Sequence, residues 1–140
     1  MKRLFLRLAV LALGLAVGGG GAYTAANVFG PLERGMASKA FVPTGPVLAP
    51  LVLKDGRLSG YVSFEVELQV PANRVDFVKA RMPLLLHAIN MRTYRSPLAS
   101  GPDGMLPDVE QFRKVVIAAA AEAFGDEIVR RAVITQAVPA

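Results

Sequence analysis

Residues 8–32, LAVLALGLAVGGGGAYTAANVFGPL, carry no charge, and Lys2, Arg3 and Arg7 stand just before them. A helix rises about 1.5 Å per residue, so about 20 residues cross the roughly 30 Å hydrocarbon layer of a bilayer. The 25 uncharged residues suffice for one crossing, with some left for tilt. A segment in lipid must satisfy its own backbone hydrogen bonds, so the run is read as one membrane-spanning helix. The basic residues lie on its N-terminal side and positive residues stay in the cytoplasm, which places the rest of the chain outside it.

A cleavable secretory signal has the same grammar, with a charged start, an apolar stretch and a small-residue site such as Gly20-Gly21-Ala22 or Thr24-Ala25-Ala26. Gly18 to Gly21 also weaken a helix, by about 1 kcal/mol each relative to alanine in water. The length of the uncharged run favours the uncleaved anchor, and both readings export the product. Gly14, Gly18 and Ala22 recur at every fourth residue, a spacing that lets two membrane helices approach closely. Small residues are so frequent here that such a ladder also arises by chance.

Without the anchor, about 110 residues remain, enough for one small domain with a modest core and a linker. Cysteine is absent, so disulfides and thiol chemistry are excluded. The net charge of +5 owes three units to Lys2, Arg3 and Arg7; the remainder carries 13 basic and 11 acidic residues. The basic balance therefore reflects membrane orientation, and nucleic acid is not an expected partner.

The expected organisation is an anchor over residues 1–30, a proline-rich tether over 31–50 and an exported domain over 51–140. Pro31, Pro43, Pro46 and Pro50 each remove a backbone donor, which suits an extended tether, at most ending in an edge strand. Asp55-Gly56 between apolar runs marks a hairpin. Val62, Phe64, Val66, Leu68 and Val70 then alternate with polar residues, the period of a strand with one buried face. Asn73 is placed to cap a helix carrying Val75, Val78 and Met82, with Asp76 in its first turn. Pro83 ends that helix and opens a second over about 84–94, with Leu85, Ala88 and Ile89 inward. Residues 95–107, RSPLASGPDGMLP, read as a flexible, contact-making loop. A third helix follows from Asp108 to a stop at Gly125, with Val109, Phe112, Val116, Ala119 and Ala123 on one face and Glu110 paired to Lys114 outside. Its apolar middle, residues 115–121, suits burial against the sheet or another subunit. The β-branched stretch 128–138 reads as a closing strand. The fold class is α+β: a small antiparallel sheet with about three helices on one face.

The basic start, single span, Asp55-Gly56-Arg57-Leu58 turn, alternating strand, helices around Met82-Pro83-Leu84, helix stop at Phe124-Gly125 and closing Ala132-Val133-Ile134-Thr135 together resemble the FliL family of flagellar basal-body-associated membrane proteins. The resemblance covers most of the chain as a series of short matches. It implies a single-pass inner-membrane protein with a periplasmic, stomatin-like domain that assembles as rings around the flagellar stator and supports motility. Leu84-Leu85-Leu86-His87 replaces a basic-acidic pair that family members often carry after the proline matching Pro83, so any contact of that pair is in doubt here.

No catalytic constellation is visible, and neither a cofactor nor a small-molecule substrate is expected. His87 is the sole histidine, which denies one chain a His-centred triad or a two-His metal site. The glycine run precedes no Gly-Lys-Ser/Thr and so is not a phosphate loop. Glu65 and Glu67 suit a solvated strand face, and Asp103 and Asp108 lack calcium-loop spacing. Arg74, Lys79, Arg81, Arg92 and Arg95, opposed within their stretch by Asp76 alone, form a basic excess. They suit anionic lipid or an acidic partner, or simply a solvated helix face. The favoured function is a non-enzymatic, self-associating membrane protein of the flagellar motor. The alternative is a soluble periplasmic binding module released by cleavage.

Overall fold

Strand β2 (Leu58–Pro71) is the centre of a three-stranded antiparallel sheet of order β1-β2-β5, flanked by β1 (Lys39–Val52) and β5 (Arg131–Pro139). The computed structural model describes residues 38–140. The expected anchor, with its Gly14, Gly18 and Ala22 positions, lies outside the described residues. Among those residues no helix is long and apolar enough to cross a membrane.

Period-2 alternation builds the core. Val62, Phe64, Val66, Leu68 and Val70 of β2 are all buried, while Tyr61 and Glu65 on the opposite face are exposed. A Leu, Val or Phe side chain taken out of water contributes about 1.5–3 kcal/mol, so one such face commits the strand's register. Three α-helices cover it: α1 (Val75–Ala80), α2 (Met82–Thr93) and α3 (Val109–Phe124). Val78 of α1, Leu85, Ala88 and Ile89 of α2, and Phe112, Val116 and Ala119 of α3 join the strand residues in one cluster. The chain is thus α+β, as the alternation and helical stripes indicate.

The proline-rich stretch differs from expectation. Residues 39–50 are no tether; they form most of β1, and the domain begins a dozen residues earlier than the turn chemistry alone implies. Pro43, Pro46 and Pro50 are tolerated because β1 is an edge strand, where a missing donor breaks no central ladder. The register shifts between Pro43 and Pro46, where Gly45 takes φ +75°. Thr44 is buried at this bulge and donates its hydroxyl to the carbonyls of Gly45 and Val66, at 2.9 and 3.3 Å.

The helix termini follow local chemistry, with two corrections. Asn73 provides no cap: residues Ala72–Arg74 form a 3-10 turn leading into α1, and neither element has a side-chain cap. Asp108 does cap α3, accepting from the Gln111 backbone N–H at 2.9 Å. Glu110 pairs with Arg113, one turn along, rather than with Lys114. Pro83 sits in the first turn of α2, as its missing donor allows.

The stretch 95–107 is also tied down more firmly than its composition suggests. Leu98 is fully buried, and its carbonyl accepts from the Asp108 N–H at 2.7 Å. Two short strands, β3 (Ala99–Ser100) and β4 (Leu106–Pro107), pair antiparallel. Gly104 between them has φ +69°, and a Cβ there would lie 2.6 Å from Leu53 Cδ2. The left-handed backbone favours glycine, and any larger residue would also have to displace the Leu53 side chain of the β1–β2 hairpin.

Candidate contact surface

The five basic residues do not form a single patch. Arg74 and Arg81 gather at Phe77 on α1, with their guanidinium carbons 5.7 and 4.0 Å from the ring centroid. The ring is half-buried and makes an edge-type contact with Phe124 at 6.4 Å, while the two cations add cation-π attraction. Lys79 is exposed on the same short helix.

Arg92 and Arg95 belong elsewhere. His87, Met91 and Arg95 follow one another at i, i+4 and i+8 along α2 and just past its end, with Ala88 and Arg92 beside them. Gln111, Lys114, Ala118 and Glu122 form the facing stripe on α3, at i, i+3, i+7 and i+11. Between the stripes lies a half-open groove of about 600 Å³. Ala88 and Val115 are buried at its floor. Arg92 bridges the helices, donating from Nη2 to Glu122 Oε2 at 2.9 Å, so this arginine is opposed by a carboxylate distant in sequence. Its Nε–H is shielded from solvent and has no acceptor among the described residues. Three cations, Arg92, Arg95 and Lys114, face the single carboxylate of Glu122, leaving the groove net positive.

Two peripheral carboxylates have perturbed acidities. The Arg57 side-chain and backbone N–H groups hydrogen-bond Asp55 at the β1–β2 turn and hold its carboxyl below the usual range. The hydrogen bonds of Arg113 do the same for Glu110, and the Arg113 guanidinium is correspondingly raised. Both pairs are fully exposed, which makes them features of the solvated surface rather than of a reaction centre.

Little here assembles into reaction chemistry. Among the described residues, no three His, Cys, Asp or Glu side chains cluster in a way that could hold a metal ion. His87 lines the groove without a carboxylate partner, and Glu65 and Glu67 lie on the outer sheet face opposite Gln136 and Val133 of β5. Lys114, Gln111 and Glu122 were not among the sequence-derived candidates. Their helical spacing was legible, but nothing in a one-dimensional pattern says which stripe of α3 faces which stripe of α2.

The chain matches no protein-family model, and no curated protein matches it in sequence.

Proposed function

We propose that this chain is a non-enzymatic, FliL-like inner-membrane protein whose α+β domain lies in the periplasm, self-associates and supports the flagellar stator. The observation that carries the reading is the uncharged run of residues 8–32 behind Lys2, Arg3 and Arg7. With β1 beginning at Lys39, only residues 33–38 separate that run from the domain. The α+β class agrees with what the FliL resemblance implies, and the finer stomatin-like assignment belongs to the same proposal. Gly14, Gly18 and Ala22 would pack anchor helices together, and the shared membrane would raise effective concentration at the motor. Arg74, Lys79, Arg81, Arg92 and Arg95 are its contact residues toward lipid headgroups or partners.

Imaging an N-terminally tagged fusion in cells with labelled flagella tests this. Foci at flagellar bases are the expected result; a uniform membrane outline removes the flagellar role. The second reading, a periplasmic binding module released by cleavage, is favoured by Gly20-Gly21-Ala22 and Thr24-Ala25-Ala26. Mass spectrometry separates the two: an intact N-terminus supports the anchor, and a mature start near Asn27 supports cleavage.

A further inference from the structure

We infer that the α2–α3 groove is a docking site for an acidic, amphipathic helix of a partner protein. Its half-open shape leaves room for a helix laid along it. Its floor is built from Ala88, Val115 and Ala118, side chains small enough for another helix to approach closely. Met91 is 49% exposed at the rim, an unbranched side chain that adapts to apolar anchors. Apolar contacts at i, i+3, i+4 and i+7 are what such a trough accepts from a helix.

Charge fixes the chemistry of the occupant. Arg92 and Arg95 stand on one wall and Lys114 on the other, with Glu122 offsetting part of that charge. The Arg92 guanidinium has five N–H donors, and among the described residues one bond, from Nη2 to Glu122, engages them with a side-chain acceptor. Carboxylates flanking an apolar stripe would complement both walls, whereas a basic helix would be repelled. This inference does not depend on the flagellar reading, and its test is made in vitro, apart from localisation.

The test is fluorescence anisotropy with the full-length protein in detergent micelles and a labelled peptide of about 14 residues, long enough to span roughly 21 Å as a helix. The peptide carries leucines at i, i+3, i+4 and i+7 with glutamates on the flanks, and a control replaces every glutamate by glutamine. The acidic peptide is expected to bind, and the glutamine control to bind about tenfold more weakly or worse. The R95E/K114E variant, altered at two exposed positions, should lose about tenfold or more in affinity, while K54E/R131E, at exposed positions outside the groove, retains it. Ala118→Trp should also weaken binding, by filling the floor without changing charge. Equal weakening by K54E/R131E would mean general charge attraction and overturn the proposal. So would unchanged affinity in Ala118→Trp, or binding that survives R95E/K114E. Displacement of the peptide from the parent protein by dihexanoyl-phosphatidylglycerol, but not by dihexanoyl-phosphatidylcholine, would make a lipid headgroup the occupant and overturn it too.

Discussion

Phe64, in the middle of the central strand, and Phe112, in the first turn of α3, stack with ring centroids 3.8 Å apart and planes 11° from parallel. Both are fully buried. The contact joins the sheet to the longest helix across a sequence distance that no local pattern bridges. Replacing Phe112 by Ala is expected to cost about 3–5 kcal/mol, from lost transfer and the cavity left behind. In urea unfolding followed by circular dichroism, the F64A/F112A double variant should cost less than the two single changes added, by about 0.5–1.5 kcal/mol of ring-ring coupling. Additive effects would show that the stacking contributes nothing beyond burial.

Gly104 and Gly56 both have positive φ, but their surroundings differ. A Cβ at Gly56 meets open space, whereas one at Gly104 runs into Leu53. Gly56→Ala should therefore cost only the backbone strain, about 1 kcal/mol, and Gly104→Ala somewhat more, because the half-buried Leu53 side chain must also shift. Chemical denaturation midpoints of the two variants give the comparison, and equal costs would refute the close approach.

Asn73 is the helix cap expected from the sequence, yet of Asn73 and Asp108 it is Asp108 whose side chain accepts a backbone hydrogen bond among the described residues. Asp108→Ala is expected to destabilise the fold by about 1 kcal/mol, and Asn73→Ala to leave the melting temperature unchanged. A matching loss at Asn73 would indicate a cap that forms in solution.

Acid should weaken the fold through its depressed carboxylates. Arg113 lowers the Glu110 pKa in the folded state, so that stabilisation is fully present above the unfolded-state value and is lost as pH falls through the folded one. Asp55 behaves in the same way through Arg57. Glu110→Gln should thus melt below the parent protein at neutral pH, and the difference should close once both states are protonated below the carboxylate range. A difference independent of pH would assign the effect to packing instead.

Much of this architecture was legible because alternation and helical stripes report burial directly. Val62 to Val70 declared a half-buried strand, Leu85, Ala88 and Ile89 an inward stripe, and Asp55-Gly56 the turn between two strands. The prolines of β1 misled because their missing donors are harmless on a sheet edge, and edge position depends on tertiary pairing. Leu98 and Gly104 fasten a loop whose composition alone signals freedom. The basic residues were visible one by one, but their division between the Phe77 ring and the α2–α3 groove depends on helix packing. Glu122, thirty positions beyond Arg92, had no local signature as its partner.

The order β1-β2-β5 has a mechanical consequence. Both outer strands run antiparallel to β2; Lys39 lies beside Pro71 at one end of it, and Pro139 lies beside Val62 nearer the other. The two points are separated by nine residues of β2, about 30 Å along the sheet. A pull applied between them runs along the strands, while the hydrogen bonds of an antiparallel ladder lie across them. The load is then shared by many bonds in shear instead of peeling them open one after another.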